Sequence, residues 1–293
     1  MRFRVPAVLL AATAAVAGLA ACASPADTVG PSLVASTNVY AQIAEQVAQG
    51  EVDVTAVIDS TVSDPHEYEA STADELAVQR ADLIVVNGGG YDPFMDGLIA
   101  ASGSTAPVVV AVEVAAVPEG GNEHVWYHPT AMALVAEAIA DELSAIVPDR
   151  ASVFRDGAAA FGAEMAALQD EVAAIAATSA GATVMLTEPA PGYLVEAAGL
   201  QDLMPEEFAA AVESGRDVPP AVLLTALDAL GSGQVRALIA NAQTGGAETE
   251  QLIAAARTAG IPVLEFTETL PDGLTYQEWM TGNVSDLADA VAS

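Results

Sequence analysis

Residues 149–178 read DRASVFRDGAAAFGAEMAALQDEVAAIAAT, a run of about thirty positions with no proline and few glycines. Its large apolar residues, Phe154, Phe161, Met165, Leu168, Val172 and Ile175, recur at helical spacing and so line one face. At about 1.5 Å per residue a helix of this length measures roughly 45 Å, enough to run the length of a two-lobed protein. The same pattern would also suit a long surface helix on one domain, so the flanks decide.

On both flanks strand patterns alternate with helix patterns. Upstream, Leu33–Thr37, Val52–Ile58, Leu83–Val86 and Pro107–Val112 read as strands. Ala41–Ala48, Thr72–Arg80 and Thr130–Ile146 read as helices between or after them. Downstream, Thr183–Leu186, Val235–Ala240 and Val263–Phe266 are short apolar strands, with helical Tyr193–Ala198, Ala221–Leu230 and Glu248–Thr258. Strands alternating with helices imply parallel sheets built from βαβ units. The expected fold is therefore α/β, with two lobes, each a mainly parallel sheet with flanking helices, joined by one long helix. The expected boundaries are an N-terminal lobe at 33–147, a connecting helix at 148–178 and a C-terminal lobe at 179–293.

The first 32 residues stand apart from this pattern. Arg2 and Arg4 precede a nearly continuous apolar stretch, Val5–Ala17, which is too short for a good spanning helix and reads as an export signal. Leu19-Ala20-Ala21-Cys22 has the small-residue spacing of a bacterial lipobox, so 1–21 is expected to be a lipoprotein signal peptide. Cys22 would then be the lipidated residue and 22–32 a tether, which puts the protein outside the cytoplasm, anchored to the cell membrane. Cys22 is the single cysteine of the chain, which excludes an internal disulfide and a thiolate metal cluster.

Charge narrows the partners. The chain has no lysine and a formal net charge of −32, which argues against nucleic acid and bare anionic membrane as partners. Such a field attracts cations, but solubility accounts for it equally well.

Three histidines make up the whole imidazole supply, and they fall in two motifs. His66 lies in Asp64-Pro65-His66-Glu67-Tyr68-Glu69; His124 and His128 lie in Glu123-His124-Val125-Trp126-Tyr127-His128-Pro129. Neutral imidazole is the commonest protein ligand for transition metals. Two carboxylate motifs lie downstream, Thr187-Glu188-Pro189 and Phe266-Thr267-Glu268-Thr269-Leu270-Pro271. Ligands of open parallel sheets bind beyond the carboxyl ends of the strands. His66, Glu188 and Glu268 each follow a strand, and His124 follows the fourth after a short loop. Any one of these residues alone would be an ordinary turn or capping residue. Two matched positions in each lobe point instead to a site in a cleft between the lobes.

These residues resemble a known family. Asp64–Glu69, the His-x-Trp of His124-Val125-Trp126, and Glu188 with Tyr193 look like the metal-binding lipoproteins of ABC importers for zinc and manganese. In that cluster of solute-binding proteins one long helix joins the lobes. The resemblance covers nearly all of the chain after the leader, including Asn87-Gly88-Gly89, Tyr276, Trp279 and Asn283. It implies four metal ligands, one per motif: His66, His124, Glu188 and Glu268. The fourth place is usually an aspartate, so Glu268 is a departure, and Asp272 stands as the alternative. His128 falls where the family commonly has Asp, Asn or Ser and is expected beside the site or at a helix start rather than on the metal. The segment between Val117 and His124 lacks the histidine-rich loop of many zinc members.

Two imidazoles and two carboxylates make a mixed N/O set. Carboxylates suit Mn²⁺, whereas the Irving–Williams order favours Zn²⁺ at almost any such site. One transported divalent ion, Mn²⁺ or Zn²⁺, is expected, with the lean towards manganese. The resemblance implies a permease and an ATPase as separate chains, and a monomeric binding protein. Two rivals are a metal-binding adhesin or structural lipoprotein, and a metallo-hydrolase. Catalytic zinc commonly keeps three protein ligands and an open position for water. Four ligands would fill that shell, and the chain has no His-Glu-x-x-His or Gly-x-Ser-x-Gly motif, so no enzyme is expected.

Overall fold

The computed structural model describes residues 30–61 and 65–292. The leader 1–21, Cys22, the tether up to residue 29, and Asp64 lie outside the described residues.

The apolar segment Ser32–Thr37 forms β1 and leads directly into helix α1 (Asn38–Ala48). β2 (Asp53–Ile58) pairs with β1 in parallel, Val34 opposite Thr55. Its alternating exposure is that of an edge strand with one wet face. α2 (Thr72–Arg80) starts at a capping box: Ser71 Oγ accepts from the Asp74 amide, and Asp74 accepts from the Ser71 amide. β3 (Leu83–Val86) is buried throughout and pairs with the other side of β1. After α3 (Pro93–Ser102) comes β4 (Val108–Val110), completing a parallel sheet of order β2-β1-β3-β4.

The expected strand at 107–112 is therefore shorter than read. The chain leaves the sheet at Ala111 for the short helix α4 (Ala111–Val114), so valine-rich composition alone overran the pairing. α5 (Pro129–Ile146) has His128 at its N-cap and Pro129 at its first position, where a missing N–H costs nothing.

A single 3₁₀ turn, Pro148–Arg150, then opens α6 (Ala151–Ser179), a helix of 29 residues. All six apolar residues read from its sequence are buried. α6 packs along α5 and α1. Gly157 explains the closeness to α1, because a Cβ there would stand 2.5 Å from the Val47 carbonyl oxygen.

The second sheet repeats the topology of the first. β5 (Thr183–Leu186) is followed by α7 (Gly192–Ala197), the two-residue strand β6 (Gln201–Asp202), α8 (Glu206–Glu213) and α9 (Pro220–Leu230). β7 (Val235–Asn241), α10 (Ala247–Ala259) and β8 (Val263–Phe266) complete a parallel sheet of order β6-β5-β7-β8. The last helix, α11 (Tyr276–Ala292), returns to pack on α6.

One continuous apolar core joins the two sheets. It runs from Leu33 and Val85 through Met132, Phe161 and Met165 to Val184, Ile239 and Trp279. No described helix is long and apolar enough to cross a membrane.

Candidate metal centre

The carboxyl edges of the two sheets face one another, and the loops leaving them carry the candidate residues. His66 sits in a 3₁₀ turn, Pro65–Glu67, beyond β2. His124 precedes a second 3₁₀ turn, Val125–Tyr127, and is 1 % exposed. Glu188 follows β5 and Glu268 follows β8, each 2 % exposed. His66, His124 and Glu268 each offer a ligand atom within 4.8 Å of the other two.

Glu188 lies outside that close group but is joined to it. Asn241, the last residue of β7, donates from Nδ2 to Glu188 Oε2 at 2.5 Å and to Glu268 Oε1 at 2.6 Å. The Thr244 hydroxyl also donates to Glu188. Two buried carboxylates are thus held a single amide apart. Burying such charges is costly unless they are paired or bind a metal. Amide and hydroxyl dipoles offset part of that cost, and a divalent cation would offset more.

The first-sheet candidates are held by their neighbours. His124 Nδ1 lies 2.7 Å from Asn122 Oδ1, which also accepts from the His124 amide, while Asn122 Nδ2 donates to the Pro189 carbonyl. Those contacts orient the amide and make Nδ1 the protonated nitrogen, so the lone pair is on Nε2. Burial, and then the neighbouring His66, push the His124 pKa down to about 3. It is a neutral imidazole at physiological pH, the form that ligates metal.

The Tyr193 hydroxyl donates to the Asn122 carbonyl, and Asn87 Nδ2 donates to the Glu123 carbonyl. Gly89, at φ +71°, lets this segment approach, since a Cβ there would stand 2.9 Å from Glu123 Cβ. Trp126 packs against both Tyr91 and His124, with ring centroids 4.5 and 5.0 Å away, and Tyr91 meets the His66 ring edge-on at 5.2 Å.

Glu268 is held as firmly. Gln243 Oε1 accepts from the Glu268 and Thr269 amides at 2.6 and 3.1 Å. Asn38 exchanges two hydrogen bonds with Leu270, both 2.9 Å, and the Thr269 hydroxyl donates to the Ser60 carbonyl. The loop after β8 is therefore stitched to the start of α1 and to the segment after β2.

Asp272 is exposed in the turn beyond Pro271. His128 caps α5, its Nδ1 accepting from the Ala131 amide at 3.5 Å, and its ring packs against Tyr193 at 5.3 Å. Asn241, Asn122 and Gln243 escaped the sequence reading. Only Asn241, at a strand's carboxyl end, carried a positional signal. Glu213, at the end of α8, was missed as well. Its Oε1 lies 4.0 Å from His124 Nε2, and burial, Glu123 and Glu188 raise its pKa to about 7.

Two parallel sheets of one topology, a single long helix and a buried imidazole–carboxylate cluster between them define a two-lobed α/β binding protein. The chain belongs to the family described as zinc-uptake complex component A, periplasmic, which matches residues 33–290. It is 28 % identical over 148 residues to the manganese-binding lipoprotein MntA of Halalkalibacterium halodurans, 49 % of each chain, so it spans about half the length of that curated relative.

Solved structures share the fold at lower identity. The periplasmic zinc-binding protein TroA of Treponema pallidum superposes with a TM-score of 0.76 at 20 % identity, over 90 % of this chain and 100 % of that one. The solute-binding protein FpvC of Pseudomonas aeruginosa, solved with Mn²⁺, gives 0.74 at 21 % identity, over 90 % and 98 %.

Proposed function

We propose that this protein captures one divalent transition metal ion, Mn²⁺ or Zn²⁺, with His66, His124, Glu188 and Glu268, and delivers it to a separate ABC permease and ATPase. The observation that carries this reading is the meeting of His66, His124 and Glu268, from loops of both sheets, within 4.8 Å. The ion would exchange its water for two imidazoles and two carboxylates. Asn241 would keep the carboxylates in place in its absence. Segments 33–147 and 179–293 act as the lobes and 148–178 as the spine between them.

Lipidation of Cys22 would hold the protein on the outer side of the cell membrane beside its permease, as a monomer without catalytic activity. The names of MntA and TroA, a manganese-binding and a zinc-binding protein, support the choice of cargo. Equilibrium dialysis of the metal-stripped protein against Mn²⁺ and Zn²⁺, with elemental analysis, tests the core claim. One tightly held ion per chain is expected; absence of tight binding would falsify it. Cys22→Ser should release the protein or leave it unprocessed, and a variant anchored like the wild type rejects the lipid tether.

A further inference from the structure

His124 belongs to two groups of potential ligands. Besides its group with His66 and Glu268, it stands with Glu123 and Glu213, whose ligand atoms likewise lie within 4.8 Å of one another. Glu213 reaches it from the end of α8, with Oε1 4.0 Å from Nε2. That is beyond hydrogen-bond distance, and Nδ1 is engaged by Asn122. A buried imidazole lone pair therefore faces an ionisable carboxylate. Both are acceptors, so a cation shared between them turns the pair into an attractive one.

The two groups differ in depth. Glu268 is 2 % exposed and His124 1 %, whereas the Glu213 side chain is 26 % exposed and Glu123 is also half-buried. The Glu123 backbone is fixed from below by Asn87 and by the close approach of Gly89.

We propose that Glu123, His124 and Glu213 form an outer station for the divalent cation, from which the ion passes to the inner ligands by exchanging carboxylates around His124. The inference rests on the proposed metal-capture function and adds a route and a specific residue to it. Because the imidazole has one lone pair, only one station is filled at a time, and the stoichiometry stays at one ion per chain. α8 then serves to bring Glu213 over the entrance.

The test uses Co²⁺, whose absorption reports its ligands, with the mature chain. Glu213→Gln should still bind one Co²⁺ at equilibrium, but associate about tenfold more slowly in stopped flow, within the range by which local charge changes on-rates. Glu206→Gln, which removes an exposed charge from the same helix, should associate at the wild-type rate. In His66→Ala, weakened at the inner site, a crystal soaked in Co²⁺ should hold the ion against His124 with a Glu213 oxygen coordinated. Wild-type association in Glu213→Gln, slowing equal to that of Glu206→Gln, or an ion in His66→Ala away from Glu213 would each overturn the outer station. If the wild type bound no Co²⁺, the capture reading itself would fall and take this inference with it.

Discussion

His124 and His128 are four positions apart, yet their surroundings assign them different work. His124 is buried, its tautomer set by Asn122 and its lone pair turned towards carboxylates. His128 uses its ring nitrogen to cap α5. His66→Ala and His124→Ala should each lower metal affinity by more than the roughly 10- to 100-fold that loss of a supporting group costs, and His128→Ala far less. Calorimetric titration of the three variants checks this; equal losses at His124 and His128 would move the second ligand. By the same logic Asn241→Ala should cost about 10- to 100-fold in affinity, since both glutamates lose their shared donor. Glu268→Ala should weaken binding strongly and exposed Asp272→Ala barely; a metal-bound structure with Asp272 on the ion and Glu268 turned away reverses that assignment. The candidate residues were legible for two reasons: Glu188 and Glu268 stand just past the ends of β5 and β8, whereas His66 and His124 stood out by motif alone, His124 lying beyond α4 rather than a short loop after β4. Asn122 and Gln243 were not, because they act through contacts with Pro189 and Glu268 made only in the folded chain. The glycines of Asn87-Gly88-Gly89 acquire a reason only with the structure: Gly89→Ala would force a left-handed conformation, costing about 1–2 kcal/mol, and push against Glu123.

Among elements, short apolar strands and helices with a clear cap or a long apolar stripe are the ones whose sequences mark them. β3, β5, β8 and α2 have the bounds that their sequences suggest, and every anchor residue of α6 is buried. α3, β6, α8 and α11 were not read as elements. β6 is two exposed polar residues, stabilised by pairing with β5 and carrying no pattern of its own. α8 has two buried side chains, Phe208 and Ala211, too few to establish a period. α11 was recoverable, since Tyr276, Trp279 and Asn283 lie three and four positions apart and are all buried. The α1–α6 contact is the element-level feature most exposed to mutation. Gly157→Ala would drive a methyl group into the Val47 and Gln46 carbonyls, and α1 or α6 must move. The expected cost is about 1–3 kcal/mol, as for other overpacking changes. It should be read by denaturant unfolding, against Gly162→Ala as control, because a Cβ at Gly162 meets open space. Equal destabilisation of the two would show that helix propensity, not the close approach, governs Gly157.

For the molecule as a whole, the shared core sets the character of any motion. A hinged pair of lobes would have only separate cores and a thin connection; here each sheet has a smaller core of its own, but the largest cluster takes residues of both sheets around α5, α6 and α11. α11 strengthens the union, as the Tyr276 hydroxyl donates to the Trp126 carbonyl and its amide to Gln42. The loop after Glu268 is tied to Asn38 and Ser60 across the same junction. Opening the lobes widely would break all of these at once, so uptake and release should proceed by local movement of the loops around His66, Glu213 and Glu268. Two consequences can be measured together by calorimetry. The metal-free protein should unfold in a single transition, with calorimetric and van't Hoff enthalpies in agreement. Adding Mn²⁺ or Zn²⁺ should move that transition upward as a unit, by about 2.7 kcal/mol of stability when free metal is a hundred times its dissociation constant. Two transitions in the metal-free protein, with only one responding to metal, would mean that the sheets fold independently and that the site belongs to one of them.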